Sequence, residues 1–534
     1  MLTKLWDMEF SPISDALTEL YYRSCGFFFN DGCLMAEMTD SKVSFDTYFN
    51  SVPINKLKNY TSAGSIVFQI DGENINTEFY AQCEHEDVFL GVSSRIYLDD
   101  IPADAVNVYP VITSTAADSK INNISVFADA EEREVSVAVI ICTYKREAYL
   151  LSNIRKISEQ ISDYKLKLQI IVVDNACSLD SADMPKNVIL ISNINSGGSG
   201  GFGKGMKAAS EMSVFTHFIL MDDDVKIDCI SLRKLIGFLK IADHDHTDIC
   251  VSGAMLYMND PVRQFESGGY FSPEGIQSGT GHYLDMTKKT DLYTNELEKK
   301  INYGGWWFMC IPMRYADEGN YPMPFFIKYD DVEYSLRCKL EIITVNGVGV
   351  WHEPFEWKYN SSSEYYNIRN YLFLRSIMDK RFTKHSARKI AQKQYLEKLC
   401  RQQYKMAKAV KWGYLDYLKG LDTLEKLDAA ENHKRVCSLN YEMLSIDEVF
   451  EKYGIRFTEE KLESSYLIGY KWYMKPFLYG LLLPSLFCKK EYGVVDAFFD
   501  RKEMYWRRKM IIHYCSSNNK AYVTSKLYRD RFTI

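Results

Sequence analysis

Asp222, Asp223 and Asp224 end the run Phe218-Ile-Leu-Met-Asp-Asp-Asp-Val225. Four apolar residues followed by three acids read as a buried strand whose C-terminal end delivers carboxylates to a crevice. Side chains alternate along a strand, so Asp222 and Asp224 project together while Asp223 points elsewhere. Two hard oxygen ligands converging at such an edge suit Mg²⁺ or Mn²⁺ holding a diphosphate. An isolated triple Asp is explained equally well as a solvated acidic turn, so the reading depends on what surrounds it.

Upstream, Arg146 follows Cys142-Thr-Tyr-Lys, and its guanidinium can fork onto a diphosphate or order the nearby carboxylates. Asp174 closes the apolar run Leu168–Val173, where it can accept hydrogen bonds from a uracil or a ribose, or cap a turn. Asn195-Ser-Gly-Gly-Ser-Gly-Gly-Phe-Gly-Lys-Gly205 reads as a loop that lets backbone approach a ligand, with a helix N-terminus after it that favours negative charge. It lacks the spacing of a phosphate-binding GxxxxGK[ST] loop. Downstream, Trp306 and Trp307 beside Gly304-Gly305 suit stacking on a sugar ring, or form a core pair. Asp330, Asp331 and Glu333 sit where an apolar run passes into a helix. Carboxylates there complement the helix dipole and are also placed to take a proton from a hydroxyl. His352 ends the run Val348-Gly-Val-Trp, within reach of a metal among carboxylates.

The elements that must position these groups are legible from Val135 onward. Val135–Ile141, Leu168–Val173, Val188–Ile191 and Phe218–Met221 are near-continuous apolar runs, and helical patterns (147–162 among them) lie between them. Strands buried on both faces and alternating with helices predict a parallel α/β sheet, whose ligands bind beyond the carboxyl ends of its strands. Arg146, Asp174, the Gly-rich run and the Asp triplet all fall on that rim.

In chain order, Cys142-Thr-Tyr-Lys-Arg146, Asp174-Asn175, Asn195–Gly205, Asp222-Asp-Asp224, Trp306-Trp307, Tyr329-Asp-Asp-Val-Glu333, Trp351-His352 and Tyr366-Asn-Ile-Arg-Asn370 resemble the inverting, metal-dependent nucleotide-sugar glycosyltransferases of the GT-A fold. They are more closely similar to the bacterial galactofuranosyltransferases that use UDP-galactofuranose to build cell-surface galactan. The set covers roughly residues 135–375. The resemblance implies a GT-A (Rossmann-like) central domain at 134–375, a β-sandwich at 1–133 and a helical, basic and aromatic domain at 376–534. It implies that Asp222, Asp224 and His352 hold Mn²⁺ or Mg²⁺, and that Asp331 is the catalytic base. Asp330 and Glu333 would orient the acceptor sugar, and Trp306 and Trp307 would line its subsite. Arg146, Asp174, Asn195 and Asp223 would meet the UDP-sugar. One departure stands out: the family's first motif commonly reads Thr-Phe-Asn-Arg, and here it is Thr143-Tyr-Lys-Arg146.

Composition bounds the rest. At 534 residues the chain is long enough for roughly three domains. The 46% hydrophobic and 25% charged content is ordinary for globular protein, and a net charge of -7 argues against nucleic acid as a partner. Aromatic content of 14%, with 38 Tyr, fits sugar-stacking surfaces. Residues 1–133 carry short β-rich runs such as Ser65–Ile70 and Arg95–Leu98, with no helical stripe, which predicts antiparallel strands. Phe45–Asn50 reads there as a core edge rather than an exposed aromatic patch.

The 13 scattered cysteines, with no CxxC pair, predict reduced thiols in a cytoplasmic protein. No secretory profile opens the chain, and no apolar run approaches the ~20 residues of a membrane span. From residue 364 a helical pattern dominates. Residues 468–534 hold thirteen Lys or Arg against five Asp or Glu, interleaved with Trp472, Tyr473, Phe477, Tyr479, Phe487 and Trp506. That pattern fits either a face lying on anionic lipid at the inner side of the plasma membrane or a subdomain packed on the acidic remainder. Expected partners are a UDP-sugar donor, a glycan or glycolipid acceptor and, for the short apolar stretch Pro476–Pro484, a membrane interface or a second subunit of a homo-oligomer. The competing readings are the same fold with a rhamnosyl or other hexosyl donor, and a carbohydrate-binding scaffold with no catalysis.

Overall fold

The computed structural model describes residues 2–164, 166–456, 490–496, 508–515 and 517–525. By packing, the chain divides into two compact units: Met1–Met323 with Asp331–Glu353, and Pro324–Asp330 with Pro354–Ile534.

In the first unit, residues 2–129 form two mostly antiparallel sheets. One has the strand order 27–30, 33–36, 120–129, 65–73, 95–97, with 2–7 also on 120–129; the other runs 23–25, 42–44, 107–114, 75–82, 88–91. Alternation drives this pairing. Ile66, Phe68, Ile124 and Val126 of one sheet and Phe79, Ala81 and Ile112 of the other are all buried. The Phe68 and Phe79 rings meet at 5.0 Å. Phe45, Tyr48 and Phe49 are buried, as the core-edge reading expects. Phe49 also touches Trp351, and Tyr21 donates a 2.6 Å hydrogen bond to Asp228, so these sheets share a core with the next region.

That region is built on β1 (Val137–Thr143), α1 (Glu147–Tyr164), β2 (Leu168–Asp174), β3 (Val188–Ser192), α2 (Gly197–Met212), β4 (His217–Asp222), β5 (Val225–Ile227), α3 (Ile230–Lys240), β6 (Cys250–Ser252), β7 (Ala254–Tyr257), β8 (Gln264–Glu266), β9 (Phe308–Pro312), α4 (Asp330–Cys338), β10 (Ile342–Ile343) and β11 (Gly349–His352). The seven-stranded sheet runs β3-β2-β1-β4-β9-β6-β10. Its first four strands are parallel and β9 is antiparallel to β4. The apolar runs in the sequence are these strands, with no solvent exposure at Val139, Ile140, Ile171, Val172, Ile219 and Leu220. A smaller sheet, β5-β11-β7-β8, stands beside it.

The Gly-rich run departs from the sequence reading, because it is helix rather than loop: α2 begins at Gly197 and contains it. A Cβ at Gly201 would lie 2.1 Å from Cys142 Sγ, and one at Gly205 would lie 2.3 Å from Ile140 Cγ2. These glycines, four apart on one helix face, let α2 press directly onto β1. Only Gly197 needs glycine for its backbone, with φ of 70°.

In the second unit, α5 (Ser361–Met378) leads a set of helices over 384–400, 404–418, 429–437 and 446–453. The C-terminal region expected to be helical also contains strands. Strands 444–445, 520–525, 508–515 and 490–496 form a four-stranded sheet in that order. Ile511, Ile512 and Tyr514 are buried on it, so a run of β-favouring residues lay inside the basic stretch. The aromatic residues from Trp472 to Phe487, Trp506 and the stretch Pro476–Pro484 lie outside the described residues. Among the described residues no helix is long and apolar enough to cross a membrane.

Candidate active site

The carboxyl edge of β4 makes an abrupt corner. The strand ends at Asp222, a turn carries Asp223 and Asp224, and β5 starts at Val225. Antiparallel pairing of β5 with β11 sets Val225 opposite His352, and this register brings the ring alongside Asp224. One ligand atom from each of Asp222, Asp224 and His352 lies within 4.8 Å of the others. His352 Nδ1 is hydrogen-bonded to the Glu353 carbonyl, while Nε2 faces Asp224 Oδ1 at 3.3 Å. In the neutral ring this leaves the Nε2 lone pair directed at a carboxylate oxygen, and two acceptors at that distance need a cation or a proton between them. The donor set, two carboxylates and an imidazole, fits Mn²⁺ or Mg²⁺.

Asp223 turns the other way and is buried. Its Oδ2 accepts from Thr143 Oγ1 at 2.7 Å, and its Oδ1 accepts from Arg146 Nη1 at 3.1 Å. Burial pushes its carboxyl up, Arg146 pulls it back down, and Asp224 pushes it up again. Arg146 Nη1 also lies 2.6 Å from Asp224 Oδ2, so the guanidinium orders the triplet, the second of the two roles its sequence allowed. Burial works against its charge, but Asp224 and Asp223 outweigh it and raise the guanidinium. Its side chain remains 40% exposed, which leaves donors facing outward.

Asp174 caps a turn, with Oδ1 accepting from Ala176 N at 2.8 Å and Oδ2 from Ser178 N at 2.6 Å and Leu179 N at 2.9 Å. Asn195 Oδ1 accepts from Gly197 N at 3.1 Å, at the mouth of α2. Lys145 has φ of 57°, the left-handed region that Asn enters more easily than most residues, so the family's usual Asn has a backbone reason and this chain carries Lys against it.

Trp306 and Trp307 are both buried. Trp306 meets Phe202 and Tyr334 edge-on at 5.5 and 5.8 Å, and Trp307 Nε1 donates to the Gly253 carbonyl at 2.8 Å. They form a packed wall. Asp330 and Asp331 open α4, and Asp331 Oδ1 accepts from Val332 N at 2.8 Å. Glu333 is fully buried and closed by Arg337, whose Nε and Nη2 reach its two oxygens at 2.6 and 3.2 Å. Glu333 thus forms an ion pair one helical turn long.

Sequence reasoning missed Glu266. It sits on β8 in a buried pocket, where burial first and then the negative field of Asp331 raise its carboxyl to about 8. Glu266 pairs with Met255 and Met255 with Val350, two residues before His352. At ~4.8 Å per strand and ~3.3 Å per residue, Glu266 and His352 lie roughly 12 Å apart on one small sheet. Glu266, which feels the charge of Asp331, and His352 of the Asp–Asp–His cluster therefore belong to the same small sheet. An isolated acid in Gln264-Phe-Glu266 was the only sequence signal.

Parts of the chain are similar to known proteins. Residues 138–293 match the model of glycosyl transferase family 2. Galactofuranosyltransferase GlfT2 of Mycobacterium tuberculosis is 23% identical over 374 residues, 62% of this chain and 58% of that protein. Its Mycolicibacterium smegmatis counterpart is 24% identical over 379 residues, 63% of this chain and again 58% of the relative. The chain thus spans less than two thirds of the relatives it matches. The solved mannosyltransferase PcManGT of Pyrobaculum calidifontis, in complex with GDP-Man and Mn²⁺, is 14% identical with a TM-score of 0.31, covering 58% of this chain and 83% of that one. With its strand-end aspartates and mixed sheet, the chain carries a region, residues 138–293, that matches glycosyl transferase family 2, and over about 62% of its length it is similar to galactofuranosyltransferases.

Proposed function

We propose that this protein transfers galactofuranose from UDP-galactofuranose to a hydroxyl of a surface glycan, with inversion at the anomeric carbon. The observation that carries the reading is the convergence of Asp222, Asp224 and His352 within 4.8 Å at the carboxyl edge of the sheet. Mn²⁺ or Mg²⁺ held there supplies charge neutralisation for the departing diphosphate. Arg146, braced against Asp223 and Asp224, presents its outward donors to the nucleotide side, with Asp174 and Asn195 shaping the same rim. Asp331 takes the proton of the acceptor hydroxyl as that oxygen attacks from the face opposite UDP. Asp330 orients the acceptor, and Trp306 and Trp307 back the sugar subsite.

We further propose a glycolipid acceptor presented at the inner face of the plasma membrane, and the division 1–133, 134–375 and 376–534 as the working domain map. Supplying Mn²⁺, UDP-galactofuranose and a galactose-terminated lipid acceptor is expected to give transfer that Asp331→Asn abolishes. Turnover with dTDP-rhamnose or another UDP-hexose alone replaces the donor assignment. Absence of turnover with every donor overturns the catalytic reading in favour of a binding scaffold.

A further inference from the structure

The four residues leading into Asp330 are held in an unusual backbone. Phe326, Lys328 and Tyr329 have φ of 76°, 70° and 65°, and none is glycine. Left-handed backbone costs a bulky residue about 1–3 kcal/mol, and it persists only where the surroundings impose it. The hydrogen bonds described here come from one helix, while His433 of the helix 429–437 stacks on the Phe326 ring at 4.6 Å. Asn370, fully buried on α5, points its Nδ2 at the carbonyls of Ile327, Lys328 and Phe325 at 2.7, 2.9 and 3.2 Å. Its Oδ1 accepts from Arg369 Nε at 2.8 Å, which fixes which way the amide faces. Arg369 Nη2 donates to the Phe325 carbonyl at 2.6 Å, and the Phe326 ring stacks on Tyr366 at 5.4 Å.

We propose that Asn370, oriented by Arg369, is a positioning residue for the Asp330–Asp331 carboxylate pair. Its amide holds the left-handed segment whose next residues begin α4, and so sets the direction in which those two side chains leave the backbone. This segment's left-handed backbone is one that neither helix propensity nor strand pairing would fix. The inference rests on Asp331 being the base.

The test uses the full-length chain, with kcat, donor KM and melting temperature measured beside amide hydrogen exchange over residues 325–331. Asn370→Ala is expected to lower kcat about 10- to 100-fold, as a misplacement near 1 Å does, with donor KM within about twofold of the parent. Exchange over 325–331 should rise at least about tenfold. Asn370→Asp, which sets a carboxylate oxygen against three carbonyl oxygens, is expected to do more. Adding Lys328→Gly to Asn370→Ala should recover about threefold in kcat, because glycine enters the left-handed region freely. If Asn370→Ala does not fold, Arg369→Lys supplies the milder variant, with a kcat loss of about threefold expected.

Parent kcat in any folded Asn370 or Arg369 variant overturns the proposal, as does exchange over 325–331 that stays at the parent level. A fall in melting temperature with kcat intact makes Asn370 merely structural and overturns it too. Transfer surviving Asp331→Asn sinks the base assignment instead, and the exchange readout then still decides whether Asn370 holds the segment.

Discussion

The two acidic clusters are held in place by different means. At the β4–β5 corner, Asp222, Asp224 and His352 are set by strand register and by buried strands on each side. At the head of α4, Asp330 and Asp331 follow a left-handed segment that side chains of α5 hold by their hydrogen bonds. Ladder pairing is distributed over many backbone bonds, whereas the second cluster depends on a few amide and guanidinium contacts. The ligand cluster should therefore tolerate changes in its neighbours and be destroyed only through the ligands themselves. The base cluster should be sensitive at a distance.

The largest effect should come from the ligands. Asp224→Asn is expected to lower divalent-dependent turnover by about three orders of magnitude, consistent with several kcal/mol of charge stabilisation, and to weaken Mn²⁺ binding in a direct titration. The fold should survive, because the corner is made by β4 and β5. Loss of folding would show that the comparison is drawn wrongly and that the acid triplet is structural.

Gly205→Ala probes the ladder side from the opposite direction. Its Cβ would stand 2.3 Å from Ile140 Cγ2 and 3.3 Å from Val173 Cγ2, so α2 must lift from β1. A loss of about 1–3 kcal/mol is expected in denaturant unfolding. The divalent affinity of the folded fraction should be unchanged.

That glycine also shows what the sequence could and could not reveal. Apolar runs are a property of single strands, so β1, β2 and β4, and the carboxylates that end β2 and β4, were legible. Gly201 and Gly205 were read as loop because their use, contact with Cys142 and Ile140 of another strand, is tertiary. The surroundings of Glu333 and Glu266 were hidden for the same reason. The first pairs with Arg337 one turn on, and the second is raised by its burial and then by Asp331, 65 positions later in the chain. Strands 508–515 and 520–525 were hidden by basic residues that suggested lipid, although Ile511, Ile512, Tyr514 and Tyr522 are β-favouring and buried.

Glu266 gives a prediction at the base cluster. Its folded-state carboxyl titrates near 8 against 4.5 for an ordinary Glu, so the folded chain binds more protons than the unfolded one across that window. Stability contributed here is therefore highest below about pH 4.5 and falls as pH rises towards 8. Glu266→Gln, which mimics the protonated form, should flatten that part of the stability profile. An unchanged slope would place the proton elsewhere.

The smallest effect is expected at Lys145. Lys145→Asn suits the φ of 57° and should stabilise the chain by about 0.5 kcal/mol, read as a small rise in melting temperature. A loss of donor affinity with this change would give the lysine a role in nucleotide binding.

The central claim is that one cluster grips a divalent cation while the other removes the acceptor proton. It is tested most directly by measuring Mn²⁺ binding and sugar transfer side by side in Asp331→Asn. The account predicts parent-like Mn²⁺ affinity with transfer reduced about 100- to 10,000-fold. Transfer at the parent rate, or Mn²⁺ binding lost together with transfer, would contradict it.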